Sequence, residues 1–274
     1  MSKPDLLVLG HVTCDDFGGD LRLGGAAGYA ARAAALLGID TALVTVAPPG
    51  SPLLAPLAET PGLALHVSPS DVMTTFALDY RGPRRRLVLR QSARPLTLAD
   101  VPQAWRSPRV VYAGSVFGEC DRALVNAFSS AYVIVALQGW LRRRAADGNV
   151  EPSLGPEALD PPTSIRSAVL SEEDHPAAEE IAACFAARGT VVALTRGPRG
   201  ATILQGDERI EIPAAPANEV DTTGAGDVFG LVLGLALAAG HPAPEAGRRA
   251  ALAAARLVEG PGLGRLAEVK GQVL

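Results

Sequence analysis

The chain has 274 residues, 48% of them hydrophobic and 20% charged, the length and apolar content of one large globular α/β domain. Its net charge of −4 argues against nucleic acid or an anionic membrane as the main partner. Lysine occurs only at Lys3 and Lys270, which excludes a Walker A loop, a protein-kinase strand lysine and pyridoxal Schiff-base chemistry.

Taken in chain order, short apolar runs alternate with alanine-rich ones. "MSKPDLLVLGHVTCDD" holds a first strand at Leu6–Gly10, too short for a signal peptide or a membrane span and followed at once by acids, so the cytoplasm is the expected compartment. A helix is predicted over Gly25–Leu37, a strand over Thr41–Val46, and a surface connection over Pro48–Pro61. Met73–Gln91 reads as two strands around Arg81-Gly82-Pro83, more polar than the rest, hence a small flap on the domain edge. Strands follow at Arg109–Gly114, Tyr132–Leu137, Ser167–Ser171 and Thr190–Thr195, with helices at Cys120–Ser130 and His175–Arg188 and a surface connection at Glu151–Thr163. A hairpin turning at Gly206-Asp207 precedes two helices, Ala225–Ala239 and Pro244–Glu259. This alternation predicts a mostly parallel sheet covered on both faces, one domain over residues 1–274 without internal repeats. Cys14, Cys120 and Cys184, and the four scattered histidines, show neither disulfide nor zinc spacing.

The string "EVDTTGAGDVFG", Glu219 to Gly230, carries the chemistry. Gly224 and Gly226 let the backbone turn tightly and a ligand approach closely. The helix they open presents unpaired amides and partial positive charge, a hole for a transferring phosphoryl group. Asp227, in the first helical turn, is expected to stay ionised there and to accept a proton from a substrate hydroxyl. A plain helix start and a dinucleotide fingerprint are the rival readings. The second fails because Pro213 and Pro216 stand where its buried strand should be. "YAGSVFG", Tyr112 to Gly118, lacks the spacing of a hydrolase nucleophile elbow.

Read whole, "DTTGAGD" followed by "VFxG" closely resembles the second signature of the ribokinase-like (PfkB) family of carbohydrate and nucleoside kinases. "GHVTCDD", "LGGAAGYAARAAALLG", "TRGPRG" and "GPGLGRL" resemble its other landmarks in the right order, over nearly the whole chain. The resemblance implies a ribokinase-like three-layer sandwich with a mostly parallel central sheet. It implies Asp227 as base with Gly224, Ala225 and Gly226 as the anion hole. Thr195, Arg196, Gly197 and Gly200 would meet ATP, and the last string would border the adenine. Asp15, with Asp16 as the alternative, Gly24, Gly25 and Tyr29 would face the substrate. Asp174, in "SEED" where the family has Asn-x-x-Glu, would stand near the waters of a magnesium ion arriving with ATP. Asp221 matches the position beside a monovalent cation such as K+.

Tyr29 stands where the family usually has Asn, implying a different or smaller substrate or a ring stacked against it. The short segment from Gly10 to Gly24 implies a lid reduced to the β-hairpin at 73–91. Gln138, at a strand end, reads as a hydroxyl ligand or a core-capping amide. Arg84, Arg85, Arg86, Arg90 and Arg142–Arg144 form basic clusters, either a solvated face or an attraction for an anionic substrate or ATP. The expected activity is ATP-dependent phosphorylation of a small sugar or cyclitol by a monomer or homodimer. A nucleoside kinase and a non-catalytic ligand-binding relative are the alternatives.

Overall fold

The computed structural model describes residues 3–79, 86–260 and 263–273. In chain order the strands are β1 (Leu6–Leu9), β2 (Thr13–Asp16), β3 (Leu21–Gly24), β4 (Thr41–Ala47), β5 (Leu63–Pro69), β6 (Thr75–Asp79), β7 (Arg86–Gln91) and β8 (Val110–Gly114). They continue as β9 (Tyr132–Ala136), β10 (Arg142–Arg144), β11 (Val150–Pro152), β12 (Ile165–Ser171), β13 (Val191–Thr195), β14 (Ala201–Gln205) and β15 (Glu208–Ile212). The helices are α1 (Ala26–Leu36), α2 (Ala55–Ala58), α3 (Arg122–Asn126), α4 (Pro156–Leu159), α5 (Ala178–Ala186), α6 (Ala225–Ala238), α7 (Ala243–Val258) and α8 (Lys270–Val273).

Nine strands make one sheet in the order β15-β14-β13-β12-β9-β8-β1-β4-β5. The run from β13 to β5 is parallel, and the β14–β15 hairpin closes one edge antiparallel. β1 has no exposed side chain: Leu6 and Val8 enter the core under α1, α6 and α7, while Leu7 and Leu9 enter the core with α5 and Trp105. That is the α/β/α sandwich expected, and a strand buried on both faces is why β1 reads as unbroken apolar sequence. The chain order runs outward in opposite directions from β1 and β8, so a crevice opens at their carboxyl ends.

α6 lies unusually deep. A Cβ on Gly230 would sit 2.3 Å from Val169 Cγ1, and one on Gly234 2.3 Å from Ile134 Cδ1. Glycines four apart present one bare stripe to β12 and β9, which draws the helix down onto the sheet and fixes the height of its first turn.

Three differences from the sequence reading stand out. β5 is absent from the sequence reading because His66 and Ser68 break its apolar run, leaving alternation on the sheet edge rather than the unbroken run of the core strands. β10 and β11 pair as a small hairpin that begins with Arg142. The flap is also larger than a lone hairpin: β2 and β3 join β6 and β7 in a second sheet of order β3-β2-β6-β7. The short Gly10–Gly24 segment thus does hold two strands; "TCDD" and "LRLG" are too brief and too polar to register as such. The hairpin tip at 80–85, with Arg84 and Arg85, lies outside the described residues.

The second sheet meets the first at a buried polar junction. The Glu119 carboxylate, 3% exposed, accepts from the His11 amide at 2.9 Å, the Ser115 hydroxyl at 2.9 Å, the Val116 amide at 2.9 and 3.0 Å and the Phe117 amide at 2.8 Å. Burial pushes this carboxyl up, but His11 beside it and those backbone amides outweigh burial and hold it below its ordinary value. The His11 ring bonds the Thr74 hydroxyl at 2.8 Å and donates to the Arg94 carbonyl at 2.9 Å, and the Ala93 amide donates to Thr74 Oγ1 at 3.0 Å. The entries to β2 and β6 and the exit from β7 are therefore tied to one knot.

Candidate active site

A cleft of about 1160 Å³ follows the carboxyl ends of the strands, between the second sheet and the α6–α7 side. Gly224 has φ 81°, the left-handed conformation that glycine adopts without strain, and α6 starts immediately after it. The first i to i−4 bond of the helix is Val228 N to Gly224 O at 3.0 Å, so the Gly226 and Asp227 amides precede the hydrogen-bonded ladder. Ala225 differs from expectation: its amide donates to the Thr222 carbonyl at 3.2 Å. Within this first turn the amides of Gly226 and Asp227 are the better placed for an anion.

Asp227 is half-buried on the cleft floor. Its carboxyl is pushed up to about 7, by burial first and by the Asp174 carboxylate second, against the opposing pull of Arg142 and the Tyr112 hydroxyl. The helix end was expected to keep it ionised. Desolvation and a like charge win instead, giving a group poised to take and release a proton near neutrality. Tyr112, fully buried on β8, donates to the Asp227 backbone carbonyl at 3.5 Å and braces this turn from below. Its role was missed because one Tyr in an apolar strand carries no pattern.

Asp174 lies beside Asp227 at the end of β12. Its Oδ2 accepts from the Ser171 amide at 2.7 Å and its Oδ1 from Gln138 Nε2 at 3.1 Å. Gln138, read as a hydroxyl ligand, thus lines the cleft with its amide nitrogen turned to Asp174. No group of three His, Cys, Asp or Glu able to cage a metal exists among the described residues. The donors present fit a hydrated magnesium ion brought by phosphates, with Asp174 on its waters. Asp221 lines the cleft and accepts from the Thr223 amide at 2.9 Å.

Toward β13, Thr195, Gly197 and Gly200 line the cleft. Arg196 does not: it pairs with Glu179 at 2.7 Å and approaches Glu172 at 3.8 Å, behind the loop. The expectation that it reaches a phosphate is corrected by this network, whose acidic partners come from a different element. Beyond the loop the wall turns apolar, with Pro216, Val220, Ala251, Ala254, Ala255 and Val258. Of "GPGLGRL", residues 261–262 lie outside the described residues, and Leu263 packs beside Gly28, Tyr29 and Arg32.

At the other end the alternation of β2 resolves the Asp15/Asp16 choice. Asp15 lines the cleft and accepts from Thr13 Oγ1 at 2.8 Å, whereas Asp16 accepts from the Gly19 amide at 2.6 Å and lies 3.6 Å from Arg90. Gly24 is beneath Asp15 rather than on the cleft wall, since a Cβ there would meet Asp15 Oδ2 at 2.2 Å. Gly25, with φ 96°, caps α1 and lines the cleft. The Tyr29 ring lies on Gly224, where a Cβ would be 2.3 Å from its Cδ1. Burial, then the Asp221, Asp15 and Asp227 carboxylates, push its hydroxyl up to about 12, so it remains a donor. Tyr29 stands where the second-sheet end and the helix end of the cleft meet.

The fold is the one seen in solved structures of ribokinase-family kinases. Over 97% of this chain and 99% of the other, it matches a pyrophosphate-dependent kinase of the ribokinase family complexed with a pyrophosphate analog and myo-inositol, at TM-score 0.81 and 18% identity. The ribokinase of Arabidopsis thaliana complexed with ribose and ATP matches over 99% of this chain and 98% of that one, at TM-score 0.74 and 18% identity.

Residues 164–269 match the model of the pfkB family carbohydrate kinase, in accord with the signature read at Asp221–Gly230. A 74-residue stretch is 45% identical to the bifunctional protein HldE of Chromohalobacter salexigens, covering 27% of this chain and 16% of that protein.

Proposed function

We propose that the chain is an alcohol-group phosphotransferase, moving the γ-phosphoryl group of ATP to a hydroxyl of a small sugar or cyclitol. The observation that carries this is the placing of Asp227 and the open amides of the α6 start on the floor of one cleft. That cleft has a carboxylate-bearing acceptor end at Asp15 and an apolar recess at Ala251–Val258.

The acceptor hydroxyl gives its proton to the Asp227 carboxylate while its oxygen forms the new bond to phosphorus. The bond from the γ-phosphorus to the β,γ-bridging oxygen breaks, and ADP leaves with that electron pair. The Gly226 and Asp227 amides neutralise the charge carried by the moving group. Asp15 orients the acceptor, and Tyr29 donates a hydrogen bond between the two ends. Magnesium bound to the donor phosphates would supply Lewis-acid charge neutralisation, with Asp174 holding its waters. Asp221 would serve a monovalent cation.

A second reading, with pyrophosphate as donor, is favoured by the fold match to the pyrophosphate-dependent kinase. The apolar recess and the cleft volume favour the nucleotide, since pyrophosphate has no base to fill them. A screen of sugars, cyclitols and nucleosides with ATP and with pyrophosphate, each with magnesium, separates these readings. Turnover with ATP and a polyol is expected; failure to consume either donor with any alcohol would overturn the assignment.

A further inference from the structure

The second sheet ends in two edge strands, β3 and β7, and the chain covers β7 itself. The β10–β11 hairpin, in which Arg142, Arg143 and Arg144 face Pro152, Glu151 and Val150, leans against it. The Leu89 amide donates to the Gly148 carbonyl at 2.9 Å, and the Leu89 carbonyl accepts from Arg144 Nε at 3.0 Å. Asn149 forms a bridge to Val88 beside them, and Val150 packs against the cluster of Phe76, Leu89 and Val116. An edge strand leaves such backbone groups to water or to another chain; here both groups of Leu89 go to one hairpin.

The root of the hairpin is fixed to the first sheet. The chain reaches it from β9 through Gly139, where a Cβ would lie 2.5 Å from the Ser115 carbonyl oxygen just past β8. The Trp140 indole donates to the Cys120 carbonyl at 2.8 Å, and the Ser153 amide closes the root on the Leu141 carbonyl at 2.9 Å. Arg142 donates there to the Val116 carbonyl at 3.1 Å and lines the cleft. The hairpin therefore reaches from the sheet on which α6 packs to the sheet that carries Asp15.

Across the second sheet Leu89 faces Phe76, Phe76 faces Asp15 and Asp15 faces Arg22. Asp15 thus stands on the rung that the hairpin fastens. The knot around Glu119 holds the sheet elsewhere, ahead of β2 and β6 and behind β7. A sheet held at one end alone rocks; a second tie along its side sets the angle. Resting on the kinase reading above, we infer that the β10–β11 hairpin is a strap that fixes how far Asp15 reaches over the cleft, with Arg144 as the positioning residue that fastens it. Arg144 is exposed outside the cleft and acts through Leu89 and Phe76. When the strap is loose, water reaches the donor. Its oxygen forms the bond to the γ-phosphorus, its proton goes to Asp227, and ADP leaves with the electron pair of the broken bond to the β,γ-bridging oxygen.

Cys14, buried on β2 next to Asp15, reports on the strap in the full chain without turnover, and buried Cys120 under the first sheet is its control. Iodoacetamide labelling, read peptide by peptide, should quicken at Cys14 by about 3- to 10-fold in Arg144→Ala and stay unchanged at Cys120. Arg144→Lys, which keeps a donor for the Leu89 carbonyl, should restore most of the protection. Gly148→Ala loosens the same tie independently, since its methyl at φ 86° is strained and meets Val88 Cγ1 at 3.3 Å. Unchanged Cys14 labelling in both Arg144→Ala and Gly148→Ala overturns the strap, and so does an equal rise at Cys120. With magnesium ATP and myo-inositol or ribose, Arg144→Ala should raise the acceptor KM, and the share of ATP lost to water, by about 3- to 10-fold, with the donor KM within about twofold. A fall of kcat alone, with both KM values and that share unchanged, overturns the positioning role. If the native chain uses neither acceptor nor any other alcohol, the kinase reading fails and the labelling alone decides the strap.

Discussion

The two ends of the cleft are built on different principles. The α6 end is backbone: a left-handed glycine, open amides and a helix pressed onto the sheet by missing side chains. The end proposed to take the acceptor is side chain: Asp15, Arg22, Phe76, Arg142 and Tyr29 arrive from separate strands and a helix. Any phosphoryl group makes the same demand, and a fixed array of N–H donors meets it whatever the acceptor. Acceptors differ, and only side chains can follow them.

The sharpest way to break this contrast is at Asp227. On the proposed reading, Asp227→Asn lowers kcat/KM by about 10² to 10⁴-fold, measured as ADP release, with donor affinity nearly kept. In the native chain kcat/KM should rise with pH through about 7, as the base loses its proton. Stability should move the other way. A carboxyl raised from its ordinary value of 3.8 to about 7 by the fold makes the folded state hold a proton that the unfolded chain has released. Native stability therefore falls between those two pH values. Asp227→Asn removes that cost, so it should melt higher than the native chain at pH 8 and no higher near pH 4. An unchanged melting difference across this range would contradict the raised carboxyl.

Next in size is Gly230→Ala, which forces a methyl into Val169 and should cost about 1–3 kcal/mol by denaturant unfolding. If the backbone end is as rigid as described, activity should fall along with stability. Tyr112→Phe is milder. Losing the hydroxyl that helps hold the Asp227 carboxyl down should move the activity midpoint upward in pH and lower kcat/KM at pH 6 by about 2- to 10-fold. The smallest effect is expected from Arg196→Ala. Since its side chain is held behind the loop, the donor KM should change by less than about threefold; a larger rise would return Arg196 to the phosphates.

This contrast also sets what was legible beforehand. β1, β4, β8, β9, β12 and β13 were readable because strands buried on both faces need unbroken apolar runs. The α6 turn was readable because left-handed backbone and close approach demand glycine, and those demands lie within a few consecutive residues. The second sheet was under-read, since β2 and β3 are four residues each and acquire their apolar partner only through β6 and β7. Arg142 reads in the sequence as one of three arginines, either a solvated face or an attraction for an anionic substrate or ATP; its place on the cleft wall goes with a bond to the Val116 carbonyl, 26 positions away. The upward shift of the Asp227 carboxyl was not legible for a similar reason. The helix end is local, whereas burial in the cleft floor and, second to it, the Asp174 charge come from the tertiary fold.

The knot around Glu119 has a consequence for how the acceptor end can open. Strands anchored singly could peel away one after another, but three of the chain's passages into and out of the second sheet share one buried cluster, in which Glu119 holds the His11 amide and the His11 ring holds Thr74 and the Arg94 carbonyl. Such a plate swings whole or stays shut, and the amides of β2, β6 and β7 should then exchange their hydrogens together, at one common free energy.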